Sequence, residues 1–180
     1  ALMELQASRF AARVGPDGEA VLLADQDRSR WDRTLIAHGL AALNRATRLG
    51  RPLGPYTLQA AIAAVHARAR SFAETDWEAI AALYEALAQV APSPVVELNR
   101  AVALLHADGA EAALAVLDGI AEDPRMRRYH LYGAVRGDVL TRLGRHGEAA
   151  EVLEQAAELA PTQRERTLLL ERAAAAAQRS

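Results

Sequence analysis

The chain has 180 residues, of which 51% are hydrophobic and only 4% aromatic; it carries no cysteine and a formal net charge of −2. That length allows one sizeable domain or a short repeat array. The lack of cysteine excludes disulfides and thiolate metal sites, and the mixed, slightly acidic charge argues against a large nucleic-acid footprint, which needs a basic face.

Alanine is abundant throughout. It has the best helix propensity and lets helices approach closely, so the composition points to an all-α array with thin, small-residue interfaces. Every basic side chain other than histidine is arginine, which GC-rich coding explains. No apolar run reaches the length of a membrane span and no signal peptide is visible, so a cytoplasmic location with no membrane contact is expected.

The chain opens in mid-pattern, with no initiator Met and no cap, and so reads as a piece of a longer protein. Leu2, Leu5 and Phe10 mark a short helix within residues 1–12. Val14-Gly15-Pro16-Asp17-Gly18 is turn chemistry. Val21–Leu23 then either pair with Ala12–Val14 in a minimal hairpin or form a packed loop. The densest polar stretch is Asp25–Asp32. Asp27 or Ser29 is expected to cap a helix running from about Ser29 to Leu49. Trp31 would lie in its first turn, buried against the next helix, with Arg28 or Arg30 paired to Asp25 or Asp32. Arg51-Pro52-Leu53-Gly54-Pro55 is a break, and Pro55 suits the first turn of a helix over Tyr56–Arg70.

Thr75 or Asp76 should cap a helix over Trp77–Val90, with Ile80, Leu83, Tyr84 and Leu87 as its buried stripe. Ser93 and Pro94 start the next, Val95–Ala107. Gly109 turns the chain into Ala112–Ile120, and Asp123-Pro124 leads to Met126–Leu143. A last helix, about Thr162–Gln178, would cover the open face of the final pair. Pro-capped starts recur after about forty and then about thirty-five residues, the spacing of helical hairpin repeats.

Within Gly133–Pro161, small and apolar residues recur at Gly137, Leu140, Gly144, Ala149, Leu153 and Ala156, with Pro161 closing the run. This resembles the second half of the tetratricopeptide (TPR) pattern, with Leu153 where that pattern prefers a large aromatic and Gly133 where it has Trp. Gly137 and Ala149 should mark a close helix contact, and Gly144 the left-handed end of a helix. The expected fold is all-α: TPR-like helical hairpins in a right-handed superhelix. Residues 1–54 form a divergent N-terminal helical portion, and residues 55–180 the repeats with a C-terminal capping helix.

Four strings, LLADQDRSRWDRTLI, PYTLQAAIAAVHA, TDWEAIAALYEAL and APSPVVELNRAVALLHADG, together resemble the C-terminal extension of a group of bacterial extracytoplasmic-function (ECF) sigma factors. The resemblance runs over essentially the whole chain. It implies a regulatory, protein-interaction module of a transcription-initiation factor whose polymerase- and promoter-binding regions precede it. Its partners would be the sigma domains of the same protein, RNA polymerase or a regulatory protein, and no direct DNA binding is expected of this segment.

Two surfaces are candidates for binding. On the helix Val95–Ala107, Leu98, Ala101, Val102 and Leu105 would pack inward. Val96, Asn99, Ala103 and His106 would line a groove flanked by Arg100, where Asn and Arg can hold a peptide backbone or carboxylate. The other candidate groups Asp27, Arg28, Trp31, Gln59 and His66, and would suit a small-ligand-sensing domain of the same factor. His66 reads first as a packing residue with its hydrogen bonds made. No nucleophile–base pair, phosphate loop or metal-ligand spacing is present, so neither an enzyme, a cofactor nor a metal is expected.

Overall fold

The computed structural model describes residues 1–16, 18–19, 21–50 and 52–179. Asp17 of the first turn and Arg51 of the 51–55 break lie outside them. The described residues are all-α. The helices are α1 (Leu2–Ala7), α2 (Arg33–Arg48), α3 (Pro55–Arg68), α4 (Trp77–Val90), α5 (Pro94–Ala107), α6 (Ala110–Ile120), α7 (His130–Arg142), α8 (His146–Glu158) and α9 (Gln163–Ala177), with four short 3₁₀ turns between them. At the expected hairpin the chain does fold back: Val21 N–H donates to Arg13 C=O and Gly15 N–H to Glu19 C=O, both at 2.8 Å. The pairing goes no further than this among the described residues.

Most helix starts follow from local chemistry. Asp76 accepts from Ala79 N–H at 2.9 Å, Ser93 accepts from Val95 N–H with Pro94 in the first turn, and Pro55 opens α3. Thr162 accepts from Glu165 N–H while its hydroxyl donates back to the Glu165 carboxylate, a reciprocal cap. The start of α2 differs from expectation. The capping residue is Asp32, whose carboxylate accepts from Thr34 and Leu35 N–H at 2.8 and 3.0 Å. Asp27 instead caps a separate 3₁₀ turn, Arg28–Arg30, by accepting from Ser29. The Asp-x-Ser turn closes on itself before the helix begins, so Trp31 precedes the cap instead of following it. The stretch Met126–Leu143 likewise divides into a 3₁₀ turn, Met126–Arg128, and α7.

The chain packs as two compact units, Ala1–Ala91 and Pro92–Ser180. The 54/55 division read from the sequence falls between α2 and α3, and α3 packs on α1 and α2 as well as on α4. In the first unit the core gathers Leu5, Trp31, Ile36, Leu43, Ala60 and Ala64. In the second, α5 pairs with α6, α7 with α8 and α8 with α9. The contact of α7 with α8 is made by small residues. A Cβ on Gly137 would lie 2.5 Å from Leu153 Cγ, and one on Gly133 2.8 Å from the Ala156 methyl. Ala149 is fully buried beside Leu140 and Ala176. Gly144 has φ +73° and ends α7: the following Arg145 N–H reaches back to Leu140 C=O at 3.0 Å, the six-to-one bond of a left-handed helix end. On α9, Leu169, Ala173 and Ala176 are buried, while Leu168 and Leu170 are exposed.

Candidate functional site

Arg28 stands at the centre of the first unit. It is 5% exposed, yet its guanidinium meets no acid among the described residues. It donates to the carbonyls of His66 (2.7 Å) and Ala69 (3.1 Å) and to Thr75 Oγ1 (3.1 Å). The first two are end-of-helix oxygens of α3 that lack intrahelical partners, where a cation is also favoured by the helix dipole. The expected pairing of Arg28 or Arg30 with Asp25 or Asp32 is therefore replaced: Arg28 closes α3 and fastens the 71–75 loop, and Asp32 is occupied with its own helix. Arg28 also lies over the Trp31 ring, 5.0 Å from its centroid, a cation–π arrangement. Trp31 is 3% exposed and packs with residues of α1, α2 and α3.

His66 is buried and meets Trp77 edge to face, with centroids 5.4 Å apart. Its Nδ1 has no hydrogen-bond partner, so it is not the satisfied packing residue the sequence suggests. Burial, reinforced by Arg9 and Arg28, lowers its pKa to about 4. Gln59 is half-buried about two turns before His66 on α3, and Asp27 is exposed. The structure thus brings Arg28, Trp31 and His66 together and leaves Asp27 and Gln59 outside. What they build is a junction whose Arg28 donors are used within the chain.

The second candidate lies on α5. Leu98, Ala101 and Leu105 are buried in one cluster with residues of α6 and α7, and Val102 is half-buried. Ala103, expected to line the groove, is 1% exposed. A single amphipathic stripe accounts for one buried face, but α5 is covered on two, and Ala103 falls on the second. Val96 and Arg100 are half-buried and Asn99 is exposed. Asn99 Nδ2 donates to Val95 C=O within its own helix at 2.8 Å, and Arg100 Nε donates to Glu97 at 2.8 Å. His106 is half-buried, and its pKa is lowered by burial and by Arg142, against the opposing pull of Asp138. Asp138 in turn pairs with Arg142 at 3.4 Å and with Arg172 of α9 at 3.5 Å. α5, α7 and α9 therefore share a polar patch of His106, Asp138, Arg142 and Arg172. Arg142 and Arg172 were missed from sequence because neither stands out within its own helix.

A recess of about 350 Å³ lies between α7, α8 and the link before them, lined by Met126, Tyr129, Tyr132, Gly133, Arg136 and Ala156 among others. Two of its polar groups are engaged with each other and with α6: Arg136 donates to Asp118 at 2.7 Å and to Tyr132 Oη, which donates to Leu117 C=O. Among the described residues no three His, Asp or Glu side chains converge as a metal site would require. No helix among them is long and apolar enough to cross a membrane.

Residues 1–47 match the model of a family of unknown function, DUF6596. The chain is also 49% identical, over 160 residues, to the uncharacterized protein R00370 of Rhizobium meliloti (strain 1021). That alignment covers 89% of this chain and 37% of the relative, so the chain spans well under half the length of the protein it matches. No solved structure matches it.

Proposed function

We propose that this chain is the interaction extension of a bacterial sigma factor of the ECF type. In this reading its TPR-like helices regulate transcription initiation from the cytoplasm, by docking on the sigma domains of the same protein or on a protein partner. The observation that carries the reading is the polar face of α5. Among the described residues Asn99 and Arg100 bond only to Val95 and Glu97 of their own helix. Such bonds exchange readily for those of an incoming peptide, because the groups are already near solvent. The length of the Rhizobium meliloti relative, which extends well beyond the match, is consistent with further domains beside such a module. A second reading, a small-ligand-sensing domain of the same factor, has its support in the cationic group around Arg9 described below.

The test is binding in solution of the 180-residue chain to the polymerase-binding region that the resemblance places before it, and to RNA polymerase. Micromolar binding to either, weakened about tenfold or more by Asn99→Ala with Arg100→Ala, supports the proposal. Binding that is absent, or indifferent to that double substitution, sinks it.

A further inference from the structure

Two arginines of the first unit lie over one indole, and a third joins one of them on a shared acceptor. Arg28 lies 5.0 Å and Arg9 5.7 Å from the Trp31 ring centroid. Arg13, four residues after Arg9, shares its acceptor: Arg9 and Arg13 both donate to Gln6 Oε1, at 2.8 and 2.7 Å. Among the described residues, none of the three forms an ion pair with a carboxylate. Glu74, on the loop beyond α3, acts on Arg28 from a distance. The group is also partly withdrawn from water, and burial together with Arg13 and Arg28 lowers the Arg9 pKa to about 10. Two polar atoms in the same neighbourhood, Trp31 Nε1 and His66 Nδ1, are buried without a hydrogen-bond partner.

Such an arrangement is costly as it stands. Like charges close together in a partly desolvated place repel, and a single neutral amide oxygen is a poor counterweight for two guanidinium groups. Arg28 has a structural task, since it closes α3. Among the described residues Arg9 and Arg13 have no comparable one: both donate to Gln6, Arg9 lies over the Trp31 ring with Tyr84 in electrostatic reach, and Arg13 lies over Phe10. Planar guanidinium forks converging on one point match the geometry of an oxyanion, which would accept from both where Gln6 Oε1 now does.

We infer that Arg9 and Arg13, backed by Arg28 and Trp31, form a binding site for a small oxyanion, the carboxylate or phosphate group of a ligand, that displaces Gln6 Oε1 from its two arginine donors. The inference does not depend on the docking surface proposed for α5. It places an effector site within the stretch matched by the DUF6596 model, whose 47 residues include Gln6, Arg9, Arg13, Arg28 and Trp31.

The experiment titrates the whole chain with inorganic phosphate and, separately, with malonate, at constant ionic strength, following the heat of binding and the melting temperature. It compares the natural sequence with Arg9→Gln and Arg13→Gln. Saturable binding of at least one anion is expected, with a raised melting temperature, and affinity should fall about tenfold or more in each variant. The anion that binds tells a phosphate ligand from a carboxylate one. Without anion, Arg9→Gln should melt no lower than the natural chain, because it removes a cation that no carboxylate among the described residues balances. Absence of saturable binding by either anion, or equal binding by the natural chain and both variants, overturns the inference. Arg13→Gln, which leaves the Arg9–Trp31 contact in place, keeps the test intact should Arg9→Gln misfold.

Discussion

The two units hold their helices together in different ways. In the first, irregular segments are fastened by long polar side chains: Arg28 ties the turn before α2 to the end of α3 and to Thr75, and Asp32 N–H bonds to Ser8 C=O at 2.9 Å. In the second, α7 and α8 meet through backbone and methyl groups at Gly133, Gly137, Ala149 and Ala156. A junction of side chains tolerates irregular chain paths but depends on a few groups. A junction of small residues depends on volume at every contact. The two should therefore fail under different perturbations.

The largest effect is expected from removing Trp31. Trp31→Ala would take a buried indole out of the core shared by α1, α2 and α3, destabilising the first unit by about 4 kcal/mol. Chemical denaturation followed by Trp77 fluorescence, which reports on the same unit, would show the loss. A variant with an unchanged midpoint would mean that the side chain is not the keystone of that junction. Overpacking is the matching insult to the second unit. Gly137→Leu and Ala149→Leu should cost roughly 1–3 kcal/mol each, Gly137→Leu the more, because its first added carbon already overlaps Leu153. Unchanged melting for both would place the helix contact elsewhere.

Acid sharpens the contrast. The folded-state pKa of His66, about 4, lies below the unfolded value of about 6.5. The unfolded chain therefore binds the proton first. The stability contributed by neutral His66 is fully present above about pH 6.5 and is lost as pH falls from there through about pH 4, to a total of roughly 3 kcal/mol. His66→Phe, which cannot titrate, should flatten this slope in denaturant melts taken between pH 7 and 4. An identical slope in the variant would assign the acid sensitivity to other groups. The smallest effect separates two neighbouring acids. Asp32→Ala should cost about 1 kcal/mol through the lost cap of α2, whereas Asp27→Ala, at an exposed turn, should cost well under half of that. A larger loss at Asp27 would reverse the assignment of the cap.

These differences also explain what could be read from the chain. Gly137, Ala149, Gly144 and Ser93 act on neighbours near in sequence or on the adjoining helix of a hairpin, and spacing alone identifies them, while for α4 it leaves Thr75 and Asp76 as alternative caps. The burial of Trp31 was likewise legible, since an indole next to an apolar stripe has few other destinations. Its chemistry was not. Arg28 bonds to groups 38, 41 and 47 residues away, and no local pattern announces those partners. Pairing by proximity favoured Asp25 and Asp32 instead. Ala103 was misplaced for a related reason: periodicity identifies one buried face of a helix and is silent about a second. Arg9 and Arg13 drew no attention because, in sequence, they are ordinary solvent-facing cations of a short helix and its end. Only the fold brings Arg28 up to Arg9.

The reach of Arg28 has a consequence in time. Bringing together groups some forty residues apart costs loop-closure entropy that must be met before any of its three bonds forms. The first unit also pairs α1 with α3 across the whole of α2. The hairpins of the second unit need only a short turn to close, as at Gly144. Since folding slows as contacting residues lie farther apart in sequence, the hairpins should form early and the Arg28 junction late. During synthesis, the half of the chain that leaves the ribosome first would then be the half that takes longer to settle.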